Sequence, residues 1–69
     1  RLPEAPQALL KALEDKDALV RINAATSLGN LGEIAAIPQL KKCHRKAKNP
    51  EEKAFYKKAL FLLGVEIED

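Results

Sequence analysis

Methionine and tryptophan are absent from the 69 residues, and cysteine, histidine and serine occur once each, as Cys43, His44 and Ser27. One cysteine excludes an internal disulfide, and the expected setting is reducing and cytoplasmic. No apolar run approaches the roughly 18 to 20 residues that a membrane helix needs, so no membrane span is expected. The opening Arg1-Leu2-Pro3 resembles no signal or transit segment. With no initiating methionine either, the chain reads as a piece of a longer protein.

The same scarcities weigh against chemistry. A thiolate and an imidazole must face each other to work as a pair, but Cys43 and His44 are neighbours, and helical neighbours point about 100° apart. Cys43 is expected to be a small core residue and His44 a boundary one. Zinc takes three or four ligands from Cys, His or carboxylate, and one thiol with one imidazole is a poor supply. The expectation is no catalytic residue, no metal site and no cofactor, hence no enzyme.

Aromatic residues number only three, Phe55, Tyr56 and Phe61, so the core must be built from Leu, Ile, Val and Ala. A chain this short buries only about 60% of the surface its unfolded form exposes. Small aliphatic residues suit helices packed at close range, and the periodicity agrees. Ala5-Pro6-Gln7-Ala8-Leu9-Leu10 opens a helix with Leu9, Leu10 and Leu13 on one stripe, Pro6 being tolerated in the first turn. Asp17 is placed to cap a second helix whose apolar stripe reads Val20, Ala24, Leu28 and Leu31, ended by Gly32. Ile37-Pro38-Gln39-Leu40 opens a third helix with Ile37, Leu40, Cys43 or His44, and Ala47 inward. Asn49-Pro50-Glu51-Glu52 is a complete helix start, with Asn49 as cap and Glu52 reaching back as in a capping box. The fourth helix then carries Ala54, Phe55, Ala59, Leu60, Leu62 and Leu63 to Gly64. Only Val65-Glu66-Ile67-Glu68 alternates, too short to build a sheet.

These four helices form two similar halves. At an offset of 35 residues Val20 matches Phe55, Ala24 matches Ala59, and Leu28-Gly29 matches Leu63-Gly64. The openings match at a smaller offset, Leu9 with Leu40, so the second half has gained about one turn. The stretch from Leu9 to Gly32, with its Asp15, Asp17, Val20-Arg21, Ala24-Ala25 and Leu28-Gly29, closely resembles a HEAT-like repeat of the phycobilin-lyase subtype. Ala36-Ile37-Pro38-Gln39-Leu40 resembles the opening of a following repeat. The resemblance implies an all-α fold: two antiparallel helical hairpins stacked as a short right-handed α-solenoid. Repeat one spans 4–32, repeat two 33–64 and a tail 65–69, within a single domain 1–69. The resemblance also implies a hydrogen-bond ladder from Asp15 and Asp17 to Arg21. The second repeat has Phe55-Tyr56 in place of Val20-Arg21, so its rung is expected to be lost and the tail to act as a short cap.

A hairpin cannot bury its apolar face alone, and solenoids are stabilised by neighbour interfaces. With two repeats, the chain is expected to be part of a longer array or to self-associate through its open ends. Enzymes with HEAT-like repeats such as deoxyhypusine hydroxylase hold iron through His-Glu pairs, and this sequence has no such pair. Bilin lyases are much larger, so a lyase fragment is the weakest alternative, and repeat resemblance transfers fold rather than reaction. Gly29-Asn30-Leu31-Gly32 closes a helix instead of opening one, which argues against a phosphate loop.

Two surfaces remain. Residues 41–58 hold eight Lys or Arg against Glu51 and Glu52, a local charge of +6 within a chain of net +2. Lys41, Arg45 and Lys48 form one expected stripe, Lys42 and Lys46 another, with Lys53 following. Such a patch fits nucleic acid or an acidic partner, or is simply a solvated helix face. Few stacking aromatics accompany it, which argues against single-strand recognition. The other surface is implied by the resemblance, which lines a concave face with the second helix of each hairpin. Asn23, Ser27 and Asn30 would form a polar strip there, with Lys57, Lys58 and Phe61 continuing it. The reading that follows is a non-enzymatic scaffold or adaptor binding another protein, with nucleic acid as the alternative.

Overall fold

A computed structural model describes residues 4–68, so Arg1–Pro3 and the Asp69 end of the expected tail lie outside the described residues. Among the described residues four α-helices follow one another: α1 (Glu4–Ala12), α2 (Ala18–Leu31), α3 (Ile37–Lys46) and α4 (Pro50–Leu62). A single 3₁₀ turn, Ile34–Ala36, leads into α3 and has no counterpart in the sequence reading. No strand occurs among the described residues. The first two helices pair, the last two pair, and α2 packs on α4. The result is the expected all-α solenoid of two stacked hairpins.

Local chemistry sets the helix ends. The Asp17 carboxylate accepts the Leu19 N–H at 2.9 Å, and the Asn49 side chain accepts from Glu51 and Glu52 at 2.7 and 3.3 Å. These are orphan donors of a first turn, and Pro50 fits beside them because its missing N–H costs nothing there. Both hairpins terminate alike. Gly32 and Gly64 adopt left-handed backbone with φ of 70° and 92°. Behind them Glu33 N–H and Val65 N–H bond back to the carbonyls of Leu28 and Leu60 at 3.0 and 2.8 Å. Gly64 thus does the work of Gly32. Gly29, its expected match, does something else: it lies inside α2, where a Cβ would stand 3.1 Å from Ala59 Cα and 3.2 Å from Leu62 Cδ1. It lets α2 and α4 touch almost backbone to backbone.

Side chains of α3 tie the hairpins together by reaching carbonyls at the end of α1. Gln39 Nε2 donates to Leu10 O at 2.9 Å, and the Cys43 thiol lies 3.6 Å from Leu13 O. The buried core comprises Leu13, Ala24, Ala25, Leu28, Ala36, Leu40, Tyr56, Ala59 and Leu60.

Three sequence expectations about this core need correcting. In α2 the buried face is Ala24, Ala25, Leu28 and Gly29, while Val20 and Leu31 are 36% and 44% exposed. Small residues turn inward beside Leu28 because they allow close approach, and Val20 and Leu31 are left on the side of the helix opposite Gly29. In α4 the inward face is Glu52, Tyr56, Ala59 and Leu60, whereas Ala54, Phe55 and Leu62 are exposed. Two polar-tipped residues, Glu52 and Tyr56, take the inward face ahead of these three apolar ones because they satisfy each other, as described below. Finally, His44 rather than Cys43 is buried, because it sits one turn beyond Leu40 on the same face of α3.

Candidate functional site

Two groups of side chains stand out from the fold. The first is a polar cluster between the hairpins. Arg21 Nε donates to Glu52 Oε2 at 2.9 Å and to the Tyr56 hydroxyl at 3.3 Å, while its Nη1 donates to the Asp15 carbonyl at 2.7 Å. The Tyr56 hydroxyl in turn donates to Glu52 Oε2. No buried side-chain N or O atom among the described residues lacks a partner, which is what makes a polar group tolerable at this depth.

The ladder expected of Asp15, Asp17 and Arg21 is therefore built from other atoms. Asp15 accepts the Asp17 N–H at 2.8 Å and Asp17 caps α2, so both carboxylates serve backbone while Arg21 finds its anion in Glu52. Asn49 caps α4 as Asp17 caps α2, 32 residues apart, so Lys53 stands where Arg21 does in the first repeat, and Glu52 and Tyr56 of the second turn to Arg21 instead. Instead of closing a capping box, the Glu52 carboxylate is directed to Arg21 and Tyr56.

Electrostatics follow from these contacts. The Arg21 hydrogen bond, opposed by burial and helped by Tyr56, holds the Glu52 carboxyl below its usual value. Burial, followed by the bond to Glu52, pushes the Tyr56 phenol up to about 12. Burial also raises the Cys43 thiol, which keeps it protonated and a poor nucleophile. A cavity of about 320 Å³ beside the cluster is lined by Leu13, Asp15, Arg21, Cys43, Lys46 and Tyr56, among others. Arg21, Glu52 and Tyr56 bond to one another across the seam, so the cluster reads as a rivet between repeats. No group of three or more His, Cys, Asp or Glu that could hold a metal occurs among the described residues.

The second group forms a groove of about 780 Å³ along the free flank of α4. Pro50, Ala54 and Phe61 supply an apolar floor, Val65 and Ile67 of the tail the far wall, and Lys53, Lys57 and Lys58 the charged rim. Phe61 is 61% exposed and shares the groove with Ala54, Val65 and Ile67. The tail takes this position because Gly64 turns the chain and Val65 and Ile67 pack against the core cluster. Sequence reasoning named Lys57, Lys58 and Phe61 but missed the tail as a wall. Its one signal was the alternation of Val65-Glu66-Ile67-Glu68, which puts the two apolar residues on the same side of an extended chain.

The remaining candidates are placed less simply. Asn23 and Asn30 are exposed on one face of α2, with Thr26 between them, while Ser27 is half-buried and lies off that face. None of them lines the groove. On α4, Leu62 lies against Gly29 of α2, and Phe55, two turns earlier on the same flank, is 44% exposed. An apolar seam thus separates the α2 strip from the Lys58–Phe61 surface.

The basic residues do not make one patch. Because α3 ends at Lys46, Lys48 falls beyond the helix and extends no stripe. Lys46 lines the inter-hairpin cavity, whereas Lys41, Arg45 and Lys53 line another of about 600 Å³ on the tail side. Lys42 borders neither. No helix among the described residues is long and apolar enough to cross a membrane.

Comparison with known families matches residues 1–60 to a model described as HEAT repeats. Comparisons with curated proteins and with solved structures give no match. The family match covers both hairpins up to Leu60 in α4 and contains the Leu9–Gly32 and Ala36–Leu40 stretches that carry the sequence resemblance.

Proposed function

We propose that this chain, which belongs to the HEAT repeat family, is a non-enzymatic interaction module, a scaffold or adaptor element that holds another protein on the solvent side of α2 and α4. HEAT repeats generally mediate protein–protein contacts, and solenoids do so through extended surfaces built by successive repeats. The single observation that carries the reading here is the α4–tail groove, with Phe61 exposed on its floor and lysines on its rim. An apolar centre with a polar rim is the usual anatomy of a protein-binding surface. Lys57 and Lys58 belong to that rim, and Asn23 and Asn30 offer hydrogen bonds on the neighbouring helix. The cations of α3 are divided between separate faces, which supports a protein partner over a nucleic-acid duplex, where phosphates would call for one continuous stripe.

Selection from a displayed library of random peptides on the immobilised chain tests this reading. Related sequences should be enriched, and their binding should be lost in Phe61→Ser, a variant whose helical circular dichroism stays intact because the side chain is exposed. No enrichment over the bare support, or binding that ignores Phe61→Ser, would overturn it.

A further inference from the structure

On α2 the flank that receives α4 holds Arg21, bonded to Glu52, and Gly29, which lies against Ala59 and Leu62. Asp17 and Asn49 cap α2 and α4 32 residues apart, so the matching flank of α4 holds Lys53 and Phe61. Both of these residues line the groove. The same step taken backwards turns Glu52 and Ala59, which α4 offers to α2, into Val20 and Ser27 on the other side of α2. Val20 is exposed, Ser27 is half-buried, and Leu31, one turn beyond Ser27, is exposed. Among the described residues, each end of the molecule therefore presents one half of a seam without its counterpart.

The two ends complement each other in charge and in size. Residues 4–36 hold three Lys or Arg against five Asp or Glu, and residues 37–68 hold eight against four. Like ends brought together would set equal charges face to face, whereas opposite ends attract. In size, Phe61 stands where the first hairpin has Gly29, and a ring there forbids the near backbone contact that joins α2 to α4. Opposite the ring the same step places Ser27, which is short. The ring then fills a wider helix spacing, within the range of about 8 to 10 Å that side chains set at helix contacts.

From these two matches we infer that the partner of the groove is a second copy of this chain stacked head to tail, with the flank of Val20, Ser27 and Leu31 in one copy laid on the flank of Lys53 and Phe61 in the next. This rests on the reading of the groove as a protein-binding surface and names its partner. Such a contact does not close on itself, because every added copy leaves one flank of each kind open, and growth is by open chains. The copies are held less firmly than the hairpins within one chain. Val20 stands in the place of Glu52, so Lys53 meets no carboxylate there.

Sedimentation velocity of the full chain, from micromolar to millimolar concentration, tests this. The mean mass of the unsubstituted chain should rise with concentration without a plateau and fall back as salt rises. Phe61→Asp spoils one flank and Ser27→Arg the other, and circular dichroism checks that both variants stay helical. Each variant alone should be monomeric. An equimolar mixture should form one-to-one pairs and nothing larger, because both outer flanks of such a pair are spoiled. Val20→Glu should tighten association about threefold by supplying the carboxylate that Lys53 lacks, and Lys53→Glu should cancel that gain. A chain that stays monomeric at every concentration, a variant that still associates alone, or a mixture that does not pair overturns the inference. Pairing by Ser27→Arg alone would mean that like ends meet. If the chain stays monomeric while the display selection enriches peptides that need Phe61, the groove remains a protein-binding surface and only the partner falls. If the chain stays monomeric and the selection enriches none, both readings fall.

Discussion

Arg21 of the first hairpin and Glu52 of the second are 31 residues apart in sequence and 2.9 Å apart in space, Nε to Oε2. Their side chains are 25% and 10% exposed, and Tyr56 closes the group from behind. Arg21→Ala leaves the Glu52 carboxylate at the seam without its cation. Loss of a hydrogen bond to a charged group costs about 2 kcal/mol. A 69-residue domain has only about 3 to 10 kcal/mol of stability to lose. Urea unfolding of Arg21→Ala, Glu52→Ala and the double variant should show the two losses to be strongly non-additive. Additive losses would mean that the residues do not act as a pair.

The same cluster makes stability depend on alkaline pH. In the folded chain Tyr56 titrates near 12, above the value of about 10 expected when unfolded. A raised folded pKa stabilises the fold fully below pH 10 or so and loses that contribution as pH rises toward 12. Tyr56 is the only tyrosine and there is no tryptophan, so tyrosinate absorbance reports it directly. Its titration should be displaced upward and should coincide with loss of helix, and Tyr56→Phe should remove the alkaline step in melting temperature.

At the acid end the sign reverses. Glu52 has its carboxyl held down chiefly by Arg21, so its contribution is complete above the unfolded carboxylate range and is lost as pH falls through the folded value. Melting temperature should begin to drop once pH falls below about 4.3, and Glu52→Gln should flatten that drop while costing stability at neutral pH. A pH profile identical to that of the unsubstituted chain would contradict the assignment.

Where α2 crosses α4, Gly29 has no room to spare. A Cβ there meets Ala59 Cα at 3.1 Å and Ala59 O at 3.3 Å, both backbone atoms that cannot swing away. Overpacking of this kind costs about 2 kcal/mol. Gly29→Val should therefore lower the melting temperature clearly, whereas a change at the exposed neighbour Asn30 to Ala should stay within about 0.5 kcal/mol.

Much of this was readable in the residues, and the failures share a cause. Caps at Asp17 and Asn49 and the turn at Gly32 are local, so one side chain and two backbone donors decide them. The two halves were recognisable, but the structure sets them 32 residues apart rather than 35, since Asn49 and Gly64 do for α4 what Asp17 and Gly32 do for α2, and Val20 and Phe55 are both exposed where apolarity promised burial. Which face of a helix turns inward depends on what the opposite helix offers. Glu52 and Tyr56 could enter the interior only because Arg21 waited there, a coupling across 31 residues that periodicity cannot register. Likewise the groove needed the tail to fold back along α4, and four alternating residues were too few to announce a wall.

The position of a partner on the chain is the decisive observable. With the chain isotopically labelled, amide shifts on adding a display-selected peptide should concentrate at Lys53 to Phe61 and Val65 to Glu68, fading across α2 beyond Asn23 and Asn30. Shifts gathered instead on the outer face of α3, around Lys42 and Lys46, or no saturable shifts at all, would contradict it.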